Sequence, residues 1–168
     1  MTRLSHAPMD WIKALAATPL NELTRSELVL PHQSNHYGTL FGPEALALLG
    51  RTAYLAAARF SRQPVVMAAA RGVEFLAPIG IGALLHLHAR VARLGRTSMT
   101  VDVRAALDAA PGLQPREVLR ASFEMVAVDP HGRPVPIEPR EPRAALPQVP
   151  SAIAQDSQDS KDSQEETP

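Results

Sequence analysis

The chain contains no cysteine. Disulfide frameworks, thiolate metal sites and cysteine nucleophiles are excluded at once. Aromatic residues are scarce, with one Trp, two Tyr and four Phe in 168 residues. None of them alternates with a basic run, so no stacking surface for nucleic acid is expected. Long apolar runs are missing too. The stretch 65–70 is among the longest, against the roughly 20 residues that a membrane-spanning helix needs. Near the N-terminus Asp10, Lys13 and Asn21 interrupt what a secretory leader would keep apolar. A cytoplasmic protein is the expectation. No G-x-S-x-G, P-loop or G-x-G-x-x-G occurs, so nothing supports a serine hydrolase, an NTPase or a dinucleotide-binding enzyme.

Charge of one sign is not in excess: Lys plus Arg and Asp plus Glu number 17 each. The distribution is uneven. Residues 151–168 hold five acids (Asp156, Asp159, Asp162, Glu165, Glu166) and one base, Lys161. The rest of the chain is mildly basic, and fifteen of the 17 bases are Arg. An Arg-rich body of this kind suits an anionic small molecule.

Apolar residues make up 45% of the chain, enough at this length for one core. Residues 1–23 read as an N-terminal extension, with a short helix expected over 9–17, where Trp11 and Leu15 are spaced i, i+4 and Pro19 stops the run. Residues 24–140 read as the folded domain. From 141 to 168, recurring proline gives way to the repeat Gln155-Asp-Ser, Gln158-Asp-Ser, Lys161-Asp-Ser. That composition has nothing to bury, and disorder is expected.

Within the domain, residues 26–30 read as a short strand. A polar, turn-rich segment over 31–42 leads into a long helix over 43–62, with Pro43 at its first turn. Ala45, Leu46, Leu48, Leu49, Ala53, Ala56, Ala57 and Phe60 cover more than one stripe, so the helix should be largely buried, and its many alanines permit close approach by a sheet. After Gln63-Pro64 the period changes from 3.6 to 2, and strands are expected over 65–76, 84–94, 98–107 and 116–129. Gly95-Arg96 and Asp129-Pro-His-Gly-Arg read as turns. Strand, helix, then four strands joined mostly as antiparallel hairpins is an α+β layout.

Three segments carry a likeness to a known family. Asn35-His-Tyr-Gly-Thr-Leu-Phe-Gly42 is similar to N-x-x-G-x-x-[FH]-G-G. Val73-Glu-Phe-Leu-Ala-Pro78 is similar to a D/N-F-x-x-P strand end, followed at Ile81-Gly82 by a V-G-D-like turn. Arg93-Leu-Gly-Arg-Thr-Ser98 is similar to an R/K-x-G-x-[ST]-S hairpin. In this order, over about residues 24–137, the chain resembles the hot-dog-fold acyl-CoA thioesterases of the cytosolic acyl-CoA hydrolase family. The resemblance implies a long central helix wrapped by a curved antiparallel sheet, an acyl-CoA substrate and no cofactor beyond the CoA that the substrate carries.

Thioester hydrolysis needs a polarised carbonyl and an activated water, and little help for a thiolate of pKa about 8.5. The helix start supplies the first: unpaired N–H groups and the helix dipole meet at Gly42. The resemblance implies the same use of the Gly42 N–H. The family's second Gly is replaced by Pro43, which has no N–H. Asn35 matches the family's Asn, and an amide that donates and accepts at once suits a bound water. The family's carboxylate stands seven residues after the second Gly, and that count reaches Gly50. Glu44 is the nearest replacement as general base, although a helix favours Glu in its first turn in any case. Glu74, reaching a neighbouring subunit, is a second candidate. The missing side chain at Gly50 is expected to enlarge an acyl pocket. Arg93, Arg96, Thr97, Ser98 and Arg71 are candidates for the CoA phosphates. His86-x-His88 has no third ligand at metal spacing, so no metal is expected.

The expectation is an acyl-CoA thioesterase using Asn35, Gly42 and Glu44. A non-catalytic acyl-CoA-binding protein, motivated by Gly50, is the alternative. A hot-dog dehydratase using His36 and Glu44 is a third. An isolated unit would leave sheet edges open, so a homodimer or a trimer of dimers is expected.

Overall fold

In three strands every second residue is apolar, and the fold turns that alternation into one buried face. The computed structural model describes residues 19–108 and 115–138. The helix expected over 9–17, the loop within 109–114 and the tail 141–168 lie outside them. The elements are β1 (Glu22–Leu28), a 3-10 turn (Pro31–Gln33), α1 (Gly42–Ser61), β2 (Val65–Phe75), β3 (Leu84–Leu94), β4 (Ser98–Leu107) and β5 (Arg116–Ala127).

The five strands form one antiparallel sheet in the order β1-β3-β4-β5-β2. Leu85, Leu87 and Ala89 of β3, Met99, Val101 and Val103 of β4, and Leu119, Phe123 and Met125 of β5 are all buried. They face α1, whose buried residues Ala45, Leu48, Leu49, Thr52, Ala53, Ala56 and Ala57 recur at helical spacing. The polar Thr52 is tolerated there because its hydroxyl donates to the Leu48 carbonyl. The helix ends on Arg62 in a left-handed conformation, whose N–H bonds the Ala58 carbonyl, just ahead of Pro64. A long helix enclosed by a curved antiparallel sheet is the hot-dog arrangement.

One expectation is corrected. The first strand covers Glu22–Leu28, not 26–30, because its register against β3 runs from Arg90 to Leu84; cross-strand pairing outweighs the short apolar run. The last four strands join mostly as hairpins, β3–β4 and β4–β5, while β2 pairs with β5 at the sheet edge opposite β1. The pairing of β2 shifts register between Met67 and Ala69 and again between Arg71 and Glu74, where Gly72 takes φ +57. These bulges bend the edge strand around the helix.

Candidate active site

The helix start is held by the segment before it. Gly38, with φ +73, closes a tight loop in which its N–H meets the Asn35 carbonyl. The Leu40 N–H donates to the Ile79 carbonyl at 2.7 Å, and the Phe41 N–H to the Gln33 carbonyl at 2.8 Å. These bonds fix the direction in which α1 begins. The N-cap residue is Phe41, which has no capping side chain. Ala45 donates to the Phe41 carbonyl, but the N–H groups of Gly42 and Glu44 have no partner among the described residues. Pro43 between them has none to offer. Two such donors at the positive end of a 20-residue helix can stabilise a negatively charged oxygen.

Asn35 is differently engaged than expected. Its Oδ1 accepts from the Tyr37 N–H at 2.9 Å and from the Thr39 N–H and hydroxyl at 3.2 Å each. The oxygen is committed to the turn, so the idea that this amide both donates to and accepts from a water is corrected. Its Nδ2 group, without a partner among the described residues, can only donate. Glu44 is half-buried in the first turn and makes no ion pair or side-chain hydrogen bond among the described residues. His36 is exposed and packs its ring on Tyr37 at 3.9 Å between centroids, so nothing ties it to Glu44 as a dehydratase pair.

An apolar cleft of about 260 Å³ opens beside this helix start. Leu40 and Ala45 form one wall, Leu119 of β5 another, and residues 75–79 the third. The Phe75 ring lies 3.8 Å from where a Cβ on Gly42 would stand. The Phe75 ring thus links the cleft to the start of α1, although neither Gly42 nor Glu44 lines it. No stretch of sequence marks it, because its walls come from three separate segments; only the Phe75-to-Pro78 motif was a signal.

Other expected residues lie elsewhere. Gly50 is buried, but its missing side chain opens no pocket: the Met67 methyl is 2.8 Å from the place of a Cβ, and Phe123 is 3.8 Å away. Met67 shares the core-facing side of β2 with Val65 and fills the gap. Glu74 is bound to Arg120 at 2.7 Å. The hydrogen bond from that guanidinium holds its carboxyl below the usual range, which opposes a role as a base. Arg71 is exposed opposite Ser122 on the sheet face away from α1.

Arg93, Arg96, Thr97 and Ser98 surround the β3–β4 turn, where Gly95 donates to the Ser98 carbonyl at 2.7 Å. Ser98 pairs with Val126, whereas Phe75 beside Gly42 pairs with Leu119. At about 3.4 Å per residue, those points of β5 are roughly 24 Å apart. Within one chain the phosphate candidates and the helix start are at opposite ends of the sheet. His86 bridges Ser26 and Asp108, at 2.8 Å each, and among the described residues no three His, Asp or Glu side chains are grouped to hold a metal.

Comparison with known proteins agrees with this geometry. The thioesterase superfamily profile matches residues 37–108. An uncharacterized acyl-CoA thioester hydrolase of Zymomonas mobilis is 32% identical over 121 residues, covering 72% of this chain and 81% of the relative. The acyl-CoA thioester hydrolase YciA of Salmonella typhimurium is 28% identical, covering 71% of this chain and 92% of the relative. Among solved structures, the acyl-CoA hydrolase of Staphylococcus aureus in complex with butyryl coenzyme A superposes with a TM-score of 0.66 at 28% identity, over 70% of this chain and 71% of that one. An apo-hexameric acyl-CoA thioesterase superposes with a TM-score of 0.66 at 34% identity, over 74% and 80%.

Proposed function

This chain belongs to the hot-dog acyl-CoA thioester hydrolases of the thioesterase superfamily, and we propose that it hydrolyses acyl-CoA at the N-terminus of α1. The observation that carries the site assignment is the pair of unpartnered N–H groups, on Gly42 and Glu44, beside an apolar cleft. The thioester oxygen accepts from them. Water adds to the carbonyl carbon, the charge collects on that oxygen, and the C–S bond then breaks. The proton lost by water ends on the CoA thiolate. The Asn35 amide donates from its Nδ2 to the substrate or the oxyanion. Glu44 takes the proton from water as general base. The binding-only alternative is not favoured, since the relatives are named as hydrolases.

The proposal includes a second copy. Strand β2 is a sheet edge, and Val66 on it is an exposed apolar residue. A two-fold partner pairing antiparallel along β2 sets each β3–β4 turn at the same end as the other copy's Gly42. Arg93, Arg96, Thr97 and Ser98 then come from the opposite subunit to the CoA phosphates. Related thioesterases are described as hexameric, so a trimer of dimers is in keeping with this arrangement. Among the described residues no helix is long and apolar enough to cross a membrane, and the proposed compartment is the cytoplasm. The test is free-thiol release from a panel of acyl-CoAs by wild type, Gly42→Pro, which removes the N–H at a helical position that tolerates proline, and Glu44→Gln. Turnover falling about 100-fold in each variant supports the assignment; wild-type rates in either variant remove that residue from it.

A further inference from the structure

We infer that the acidic stretch 156–166 of this chain docks on an arginine cluster around the β3–β4 turn and there competes with the CoA phosphates. The chain thereby carries its own weak, salt-sensitive inhibitor. The competition rests on the phosphate-binding reading of that turn; the docking does not.

Four arginines meet at the end of the sheet away from Gly42. Arg93 and Arg96 flank the β3–β4 turn, Arg62 caps the C-terminus of α1, and Arg133 follows β5. Backbone and side-chain bonds draw their segments together. The Ala127 N–H donates to the Thr97 carbonyl and the Val128 N–H to the Pro64 carbonyl, at 2.9 Å each, and Gln63 Nε2 donates to the Pro136 carbonyl at 3.2 Å. All four arginines are exposed, and none makes an ion pair among the described residues. Of the carboxylates at this end, Glu124 accepts from Thr100. Asp129 accepts from the N–H groups of His131 and Arg133. Glu138 is exposed. The guanidinium groups thus face solvent with little counter-charge from the fold.

The chain supplies that counter-charge from the same place. Ile137 is buried, and its N–H donates to the Arg96 carbonyl at 2.8 Å. Residues 139 onward therefore continue from the cluster itself. Residues 151–168 hold five acids and one base, and Asp156, Asp159 and Asp162 recur at every third position. The 19 residues from Ile137 to Asp156 span at most about 65 Å, and the cluster lies at the root of that tether. Tethering raises the local concentration of the carboxylates to the order of millimolar. A guanidinium fork pairs with carboxylate and phosphate oxygens alike, so the tail and CoA are rivals for the same groups. One exposed ion pair shifts an equilibrium about 1.5- to fivefold. Several together reach about tenfold and fade with salt.

The experiment uses the full chain, as wild type and as a variant in which Asp156→Asn, Asp159→Asn, Asp162→Asn, Glu165→Gln and Glu166→Gln are combined. Docking is read from a nitroxide on Ser160→Cys, introduced into both proteins; with no native cysteine the label takes that site alone. At low salt the amide signals of Arg62, Arg96 and Arg133 should broaden with the acids present. They should recover in about 0.5 M salt, and stay sharp in the neutralised variant. Competition is read from Kd for CoA and from thiol release on an acyl-CoA and on the same acyl-pantetheine, which has no phosphate. CoA should bind about tenfold tighter to the neutralised variant at low salt and equally at high salt. KM for the acyl-CoA should fall with it, kcat should hold, and acyl-pantetheine turnover should be the same in both. Amides that stay sharp, or that broaden equally in the two proteins, would overturn the docking whatever CoA does. Docking with an unchanged CoA Kd would overturn the competition, and with it the phosphate-binding reading of the turn.

Discussion

The Met67 methyl stands 2.8 Å from the point where a Cβ on Gly50 would begin. One side chain occupies the space that two positions share. Replacing a helical Gly by Ala ordinarily stabilises by about 1 kcal/mol. Here the added methyl must displace Met67, whose tip is flexible and whose residue is 47% exposed. Gly50→Ala alone should therefore gain only a fraction of that amount, and in a Met67→Ala background about all of it. Denaturant unfolding of the four proteins in the cycle measures the difference. Additive effects would show that Met67 does not hold that space in solution.

The same pair bears on catalysis. Gly50→Asp returns a carboxylate to the position the family uses, but into a place that Met67 fills. Thiol release should rise at least about tenfold more for Gly50→Asp combined with Met67→Ala than for Gly50→Asp alone, a modest part of what a general base supplies.

The proposal gives Asn35 two separable jobs. Its oxygen accepts three hydrogen bonds within residues 35–39, while its Nδ2 has no partner among the described residues. Asn35→Asp keeps the acceptor and removes the donor, so stability should hold and turnover should fall. Asn35→Ala removes both and should also cost about 1–3 kcal/mol of stability. Equal thermal midpoints for the two variants would refute this division.

Glu74 and Arg120 form an exposed pair at 2.7 Å. The hydrogen bond from Arg120 is the main cause that lowers the Glu74 carboxyl; desolvation opposes it, and the Arg120 charge adds a lesser lowering. A carboxyl lowered in the folded state stabilises fully above its unfolded value and loses that contribution as the pH falls through the folded one. Glu74→Gln should thus be slightly less stable than wild type at neutral pH. The gap should close in acid, as the pH falls through the lowered titration of the carboxyl, and shrink with added salt. Urea midpoints at neutral and acid pH test it, and a gap that widens in acid would contradict the sign.

A charge on the open edge should separate the subunits. Val66 lies exposed on β2, and Val66→Lys places an ammonium where a partner strand would pair. Sedimentation should show a smaller species, and turnover should fall with it, because the turn proposed to bind the CoA phosphates then no longer reaches a second copy. An unchanged assembly would place the interface elsewhere.

Secondary structure was legible wherever one physical period dominated. The alternation in β3, β4 and β5 has one solution, because a one-residue slip would expose Leu85, Val101 and Phe123 together. The alanine-rich pattern after Pro43 likewise defined α1 within a residue at each end. The donors at Gly42 followed too, since any helix start leaves N–H groups unpaired. The position of β2 was not legible. Nothing local to Val65–Phe75 says whether it pairs with the next strand or crosses to β5, since that choice is made by the whole sheet closing around the helix.

The sequence by itself therefore determined the elements, their buried faces and the unpaired N–H groups at the start of α1. Only the tertiary structure decided which distant residues meet. It gave the space at Gly50 to Met67, bound Glu74 to Arg120, assembled the cleft from three segments, and set Arg93–Ser98 at the far end of the sheet from Gly42. Local periodicity is a property of neighbours along the chain. These contacts join residues far apart in sequence, and only the closed packing of helix and sheet selects them.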